Sequence, residues 1–463
     1  MYRQQRYDEC IKEVKSKLKR APNSLHLLNY HAMACSALKR DDEALLSYQK
    51  IRKVDPTLAG PYYNMGIILK RNGRVEEAID SYKKAISLRS DYVQAYNNLG
   101  VIYKDKEEYE DAIEMFTKVT KLRPNHQNSH YNLALIKKEQ GLNEEAIELL
   151  LKVLDLNPEH SDANFLKCLI ILQLGNFKEG WRNNEYRWKV TPQNKTIWPF
   201  PEKPLWRGEK GKHVALWREQ GIGDEIIFLS LVPEVKEMCS SLSVYIDPRL
   251  QNLCKHAMPE INFVVDIEEL QRVECEYHLP LGSVPGLIRN DICDFDRTVK
   301  GYFKADPQRV EELRNELKLE GKTVIGISWK SFKSLTQDQK SVRLRDMEQI
   351  FFGLDVVLVN LQYGDVEDEI REFKEATGID VVQCASVDNR EDLDGLAALI
   401  EACDLVVSIT NVTVHLAGAL AKEIWVLLPY VPNFWWGSDR PDSIWYPSLT
   451  LYRQPTLDDW KRV

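Results

Sequence analysis

The N-terminal part of the chain repeats itself with a period of 34 residues. One position of each repeat holds a small side chain, which indicates that two helices approach closely there. Four residues later, on the same helical face, a large apolar or aromatic residue follows. This period predicts a stack of antiparallel helix pairs, because each pair buries its apolar face against its neighbours. The small positions are Cys10, Ala44, Ala78, Ala112 and Ala146, and the large ones are Tyr48, Tyr82, Phe116 and Leu150.

The predicted pairs are separated by a residue that does not continue a helix. This residue is Pro22, Pro56, Pro124 or Pro158, and Ser90 takes the place once. The 34-residue period and the helix-breaking residue between pairs are together typical of tetratricopeptide repeats. We expect an all-α superhelix over residues 1–190, with about four and a half repeats that begin with a lone second helix. A diverged fifth pair at residues 162–188 should close the array.

An asparagine also recurs at the 34-residue period, at Asn64, Asn98 and Asn132. A column of amides can pair with a peptide backbone, because each amide carries both a donor and an acceptor. The column resembles the asparagine ladder of protein O-GlcNAc transferases, and it predicts a protein or peptide partner in the groove of the repeats. The alternative is that asparagine is merely common at this repeat position, and Tyr30 and Leu166 break the series.

Composition excludes several classes of protein. The net charge of −8 disfavours a nucleic-acid partner. The nine cysteines are scattered without a C-x-x-C pair, which favours a reduced, cytoplasmic compartment. The chain begins without an apolar targeting segment, and no apolar run approaches the roughly 18 residues of a membrane span. We therefore expect a cytoplasmic protein without a membrane span.

Residues 191–212 form a predicted linker in which prolines alternate with large aromatic residues. Proline stiffens a connector and aromatic rings favour burial, so we expect a docked strap here. The residues concerned are Pro192, Pro199, Pro201, Pro204, Trp198, Phe200 and Trp206.

Beyond the linker, short apolar runs alternate with helical segments, as in α/β domains with buried parallel strands. We predict a Rossmann-like lobe at residues 213–305 and a second at residues 306–463, with ligands at the carboxyl ends of the strands. The predicted strands are residues 214–217, 242–246, 323–328, 356–361, 381–383, 405–409 and 424–428.

The first notable turn, residues 220–225 (QGIGDE), follows a strand and opens a helix. Glycines there let the backbone approach a ligand closely. Asp224 is a candidate general base at the mouth of a cleft. An aspartate at a helix start is also commonly an N-cap, and the spacing alone favours that reading.

Two further turns end strands of the second lobe. Lys330 follows the strand at residues 323–328, ahead of a basic loop with Lys333, Lys340, Arg343 and Arg345. Such a cation can neutralise a diphosphate leaving group, although most such charges are simply solvated. At residues 408–419 a polar turn opens a small-residue helix. Its N-terminus is an anion site with Asn411 and Thr413 as side-chain donors, whereas a lone His415 is more commonly a buried core histidine.

Several stretches together resemble the heptosyltransferase-type GT-B glycosyltransferases, and above all the bacterial proteins that join such a domain to tetratricopeptide repeats. They are residues 221–226 (GIGDEI), 414–420 (VHLAGAL), 427–430 (LLPY) and 439–448 (DRPDSIWYPS). The resemblance implies a double Rossmann-like GT-B fold with Asp224 as the base. It implies donor binding by Lys330 and the helix that begins near Thr413, with Gln362 and Tyr363 beside the nucleotide. The expected donor site also includes Gly223, Asn411, His415 and Gly418.

The expected reaction is a metal-independent, inverting transfer of a sugar from a nucleotide-sugar donor to an acceptor hydroxyl, with no cofactor. D-x-D patterns at Asp294–Asp296 and Asp392–Asp394 match metal-dependent transferases, but patterns this short arise by chance. The alternative is a non-catalytic peptide-binding scaffold with a degenerate transferase domain. It is suggested by Thr410, where the family often has aspartate, and by the short first lobe. A glycan or small-molecule acceptor is a third possibility.

Overall fold

A computed structural model describes residues 6–190, 198–331, 341–457 and 459–463. The chain divides into two compact units, Met1–Ala163 and Asn164–Val463. None of the described helices is both long and apolar enough to span a bilayer.

The first unit is built from helices, and its helix pairs follow the predicted period. The repeat alanines Ala44, Ala78, Ala112 and Ala146 are fully buried. The prediction of stacked tetratricopeptide-type helix pairs is confirmed. The helices are Tyr7–Leu18, Leu25–Ala37, Asp41–Val54, Ala59–Arg71, Val75–Leu88, Val93–Asp105, Tyr109–Leu122, Gln127–Glu139 and Asn143–Leu156.

Within a repeat, a glycine of the first helix packs against an aromatic ring of the second. A Cβ at position 66 would lie 2.6 Å from the Tyr82 ring, and one at position 100 would lie 2.9 Å from the Phe116 ring. These rings are fully buried. The paired small and aromatic positions therefore set the spacing of the two helices in each repeat.

The fifth helix pair comprises Ser161–Gln173 and Phe177–Asn184, followed by a 3₁₀ turn at Glu185–Trp188. From Asn164 onward this pair belongs to the second unit. Its Cys168, Leu172, Phe177 and Trp181 are part of the large core of that unit. The compact units thus divide within the first helix of the fifth pair, whereas the sequence suggested residue 190, because these side chains are buried with the α/β elements.

The second unit contains two parallel sheets, one on each side of residue 305. The first has strand order β3-β2-β1-β4 and the second β10-β9-β8-β5-β6-β7. Each sheet follows the 3-2-1-4 order of doubly wound α/β folds when its strands are numbered from its own first strand. In the second sheet this order is read from β7, as β7-β6-β5-β8. The strands are β1 Lys212–Trp217, β2 Cys239–Tyr245, β3 Asn262–Val264, β4 Tyr277–Pro280, β5 Val324–Ser328, β6 Val357–Asn360, β7 Val381–Val382, β8 Leu405–Ile409, β9 Ile424–Leu428 and β10 Leu449–Arg453.

Helices cover the two sheets. We call the first sheet with its helices the first lobe and the second sheet with its helices the second lobe. The helices of the first lobe are Ile222–Leu229, Val232–Met238, Gln251–Ala257, Ile267–Gln271 and Pro285–Ile288. Those of the second lobe include Pro307–Glu316, Glu348–Phe351, Glu367–Thr377, Leu393–Ala402 and Val412–Ala419.

The described part of the predicted linker is a docked strap, as expected. Trp206 and Phe200 are buried, and the Trp198 ring lies 5.3 Å from that of Trp217. The backbone N–H of Trp206 donates to the carbonyl of His278 in β4 at 2.9 Å. Residues 191–197 of this prediction, with Pro192, lie outside the described residues.

Candidate functional site

The helix that carries Asp224 begins five residues after β1 ends, so Asp224 lies beyond the carboxyl edge of the first sheet. Gly221, not Asp224, is the N-cap residue, and Asp224 lies in the first turn. Its Oδ1 accepts a hydrogen bond of 3.0 Å from the indole N–H of Trp435, a residue of the second lobe. The carboxylate therefore faces the second lobe.

Gly223 and His415 bring the two lobes into direct contact. A Cβ on residue 223 would lie 2.8 Å from Cδ2 of His415. The His415 ring stacks on Trp436 at 5.5 Å, and its Nδ1 lies 3.4 Å from the Tyr446 hydroxyl. Burial lowers the pKa of His415 to about 3, so the imidazole is neutral at physiological pH.

Gly418 of the same helix packs against Tyr446, whose ring lies 2.5 Å from where a Cβ on residue 418 would stand. Gly418 is buried. It therefore allows a close approach between its helix and the segment after β9. His415 and Gly418 are residues of the predicted donor site, and the structure shows that both also pack against neighbouring elements.

A buried polar network joins the carboxyl ends of β5, β6 and β8, where the strand order of the second sheet reverses. Gln362 Oε1 accepts from the Ser328 hydroxyl at 3.0 Å and from the backbone N–H of Lys330 at 2.7 Å. Asn411 Nδ2 donates to Ser328 Oγ at 2.6 Å. Asn411 Oδ1 caps its own helix by accepting from the Thr413 N–H at 3.0 Å. The structure thus brings four of the predicted donor-site residues together.

Lys330 and Tyr363 border this network. Lys330 Nζ lies 2.7 Å from Glu369 Oε2, and the side chain is 35% exposed. A cavity of about 920 Å³ lies beside it and is lined also by Arg343 and Arg345. Tyr363 is half-buried, and its carbonyl accepts from Gln362 Nε2 at 3.0 Å. Lys333 and Lys340 lie outside the described residues.

The fifth helix pair lines a second cavity, of about 270 Å³, together with Glu219, Gln220 and Trp435. The Glu219 side chain is 2% exposed and lies 3.2 Å from Arg187. Burial raises the pKa of Glu219 to about 7, although Arg187 acts in the opposite direction. Sequence reasoning missed this pair and also Trp435. The aromatic run at Phe434–Trp436, six residues after a strand end, was the available signal.

The predicted asparagine column lies in the first unit, where all three side chains are half-buried. Asn98 Nδ2 lies 3.5 Å from the Tyr63 hydroxyl and 3.4 Å from that of Tyr82. Asn132 Nδ2 donates to the carbonyl of Asn128 at 2.9 Å. Two of the three amides therefore already have partners within the repeats.

The carboxylates of the two D-x-D patterns serve partly as helix caps. Asp294 Oδ2 accepts from the Asp291 N–H at 2.9 Å, and Asp392 Oδ1 accepts from the Gly395 N–H at 2.8 Å. The described residues contain one group of three or more His, Cys, Asp or Glu side chains whose possible metal-ligand atoms all lie within 4.8 Å of one another. It consists of His31, Cys35 and Glu43. His31 Nδ1 contacts the Ser47 hydroxyl, and Glu43 pairs with Lys15 and Arg40, so this group does not fit a cation well.

Comparison with known proteins identifies the repeats. Sequence models of the tetratricopeptide repeat match residues 93–126 and 127–160, and a TPR repeat model matches residues 68–106. Protein FlbA of Caulobacter vibrioides is 28% identical over 317 residues, which cover 64% of this chain and 52% of that protein. The chain spans about half the length of this relative. Since the first unit ends at Ala163, the similarity extends into the second unit.

Two solved structures each match between a third and two fifths of the chain. The crystal structure of MamA is 27% identical, with a TM-score of 0.32, and covers 34% of this chain and 91% of that one. YrrB, described as a TPR protein with an unusual peptide-binding site, is 18% identical with a TM-score of 0.35, over 39% of this chain and 93% of its own.

Proposed function

We propose that the protein is a metal-independent glycosyltransferase that moves a sugar from a nucleotide-sugar donor to an acceptor hydroxyl, with inversion at the anomeric carbon. The observation that carries this proposal is the position of Asp224. Its carboxylate lies beyond the carboxyl edge of one parallel sheet and contacts Trp435 of the other lobe at 3.0 Å. Ligands of α/β sheets bind at such edges.

In this reaction Asp224 takes the proton of the acceptor hydroxyl while the oxygen attacks the anomeric carbon. A carbon–oxygen bond forms on one face of the sugar, and the bond to the nucleoside diphosphate breaks on the other. The leaving diphosphate keeps the electron pair. Lys330 and the N-terminal end of the helix Val412–Ala419 would stabilise its charge.

The polar network at the reversal point of the second sheet supports donor binding there. Gln362 Oε1 holds the backbone of Lys330 in place by accepting a hydrogen bond of 2.7 Å from its N–H. Asn411 Nδ2 donates a hydrogen bond to Ser328 Oγ and so connects the start of the helix to β5. Lys330 is paired with Glu369 and is partly exposed, so a diphosphate would have to replace that carboxylate as its partner.

The tetratricopeptide repeats support a protein or peptide acceptor. Their helices stack into a surface suited to extended ligands, and Asn64, Asn98 and Asn132 repeat along it. A full-chain variant with all three changed to alanine should modify protein acceptors more slowly and leave donor hydrolysis unchanged. Equal modification of proteins by this variant would favour a glycan or small-molecule acceptor.

A non-catalytic peptide-binding scaffold is the second candidate, and one observation favours it. The start of the helix Val412–Ala419 is already capped by Asn411 and is buried at Thr413. In a scaffold that cap would be permanent, and no diphosphate would bind.

One experiment separates the two candidates. The full chain is titrated by calorimetry with uridine, guanosine, adenosine and cytidine diphosphates, and the corresponding nucleotide sugars are then assayed for diphosphate release with EDTA present. The glycosyltransferase proposal predicts binding of at least one diphosphate and release from the matching sugar nucleotide. If the chain neither binds a diphosphate nor releases one from a nucleotide sugar, the glycosyltransferase proposal is wrong and the non-catalytic scaffold is favoured.

A further inference from the structure

Trp435 reaches across from the second lobe to the proposed base. It lies in the short 3₁₀ segment Phe434–Trp436 and is buried, with 4% of its surface exposed. Its indole N–H donates to Oδ1 of Asp224 at 3.0 Å. An indole has a single polar hydrogen, so the direction of this bond depends on how the ring is held.

The ring of Trp435 is held by aromatic neighbours from three parts of the second unit. Phe228, one turn beyond Asp224 in the same helix, lies at 5.5 Å in an edge-on arrangement. Trp445 lies at 5.4 Å, also edge-on. Trp181 of the fifth helix pair lies at 6.1 Å. Contacts of this kind stabilise one orientation of a buried ring.

A hydrogen bond donated to a carboxylate favours its ionised form. The bond also fixes the plane of the carboxylate, because rotation about the side chain would break it. A general base needs both properties: it must be ionised at the working pH and directed at the proton it takes.

We propose that Trp435 is a positioning residue for Asp224, and that the fifth helix pair takes part in the site by bracing Trp435 through Trp181. The catalytic meaning of this inference rests on the proposed function, whereas the effect of the indole on the carboxyl group does not. The fifth helix pair is therefore more than the end of the repeat array.

The test follows the titration of Asp224 in the full chain labelled with ¹³C at the aspartate carboxyl carbons. The Asp224 signal is identified by its loss in Asp224→Asn. Trp435→Phe keeps most of the ring and removes the donor, so Asp224 should titrate at a pH about one unit higher. Trp181→Ala should raise the titration midpoint by a smaller amount.

Trp436→Phe is the matched control. Trp436 is adjacent and equally buried, and its indole nitrogen has no hydrogen-bond partner among the described residues. This substitution should leave the Asp224 midpoint unchanged. If Trp435→Phe fails to fold, the indole N–H resonance of Trp435 in the parent chain serves instead. It should shift with pH in step with Asp224 and lose that dependence in Asp224→Asn.

An unchanged Asp224 midpoint in Trp435→Phe, or an equal change in Trp436→Phe, overturns the proposal. An unchanged midpoint in Trp181→Ala removes the fifth helix pair from it. Turnover gives the separate readout: in an active enzyme, the acid limb of kcat/KM in Trp435→Phe should move to higher pH together with the carboxyl titration. A shifted carboxyl in a chain without any transfer would instead contradict the proposed function.

Discussion

Gly223 and His415 touch across the two lobes so closely that residue 223 has no room for a side chain. A Cβ there would lie 2.8 Å from Cδ2 and 3.3 Å from Nε2 of the His415 ring. Both residues belong to the predicted donor site, and Gly223 directly precedes Asp224 in the chain. The contact therefore fixes the distance between the proposed base and the second lobe.

We expect Gly223→Ala to destabilise the second unit by about 1–3 kcal/mol, because the added methyl group overpacks a tight contact. All eleven tryptophans lie at or beyond Trp181, so urea unfolding followed by tryptophan fluorescence reports on this unit. In a His415→Ala background the same substitution should cost less. An equal cost in both backgrounds would show that the ring does not oppose the methyl group.

The buried imidazole of His415 makes stability depend on pH. Its pKa of about 3 in the folded protein lies below the ordinary value of 6.5. The unfolded chain therefore binds a proton here as the pH falls through 6.5, whereas the folded protein does not, so acid favours unfolding. Between pH 7.5 and 5.5 the free energy of unfolding should fall by about 1 kcal/mol more in the parent than in His415→Gln. Parallel pH dependences in urea titrations would contradict the buried, neutral state.

In the first unit, Gly100→Ala should destabilise the repeats, because the added Cβ would lie 2.9 Å from the Phe116 ring. The expected loss is about 1–3 kcal/mol, measured by circular dichroism at the helical band during urea unfolding. Phe116→Leu frees space beside residue 100 and should reduce that loss. The control is Gly60→Ala, at a helical position with no atom within 4 Å, which should not destabilise the unit.

Lys330→Met should weaken binding of a nucleoside diphosphate by about tenfold or more, because a hydrogen bond to a charged group is lost. The matched control is Lys322→Met, an exposed lysine just before the opposite end of the same strand. Calorimetry with the diphosphate that the parent binds compares the two variants. Equal affinities in both would remove Lys330 from the donor site.

Local patterns predicted much of the fold. The 34-residue period predicted the helix pairs, and continuous apolar runs predicted seven of the strands, because both signals lie within short stretches of sequence. Strands Asn262–Val264 and Tyr277–Pro280 were missed; they lie between residues 246 and 323, where prolines and polar residues interrupt the apolar runs. Leu449–Arg453 was also missed, although it pairs in parallel with β9.

The candidate site was predictable only in part. Asp224, Lys330 and Asn411 stand at strand ends, and that much follows from the order of strands and turns. The partner of Asp224 is 211 residues away in sequence, and no local pattern indicates which loop of the second lobe reaches it. The sequence also did not predict that the fifth helix pair packs with the second unit. Trp181 is buried by residues far along the chain, and a local pattern does not indicate such contacts.

The most direct test of the account measures kcat with a nucleotide sugar that the parent turns over. It compares Asp224→Asn, which removes the proposed base, with the parent and with Asp306→Asn. Asp306 caps the helix Pro307–Glu316 of the second lobe and serves as the control aspartate. The account predicts that Asp224→Asn lowers kcat by about 10² to 10⁴, with donor affinity retained, and that Asp306→Asn keeps the parent rate. Equal turnover by Asp224→Asn and the parent would contradict it.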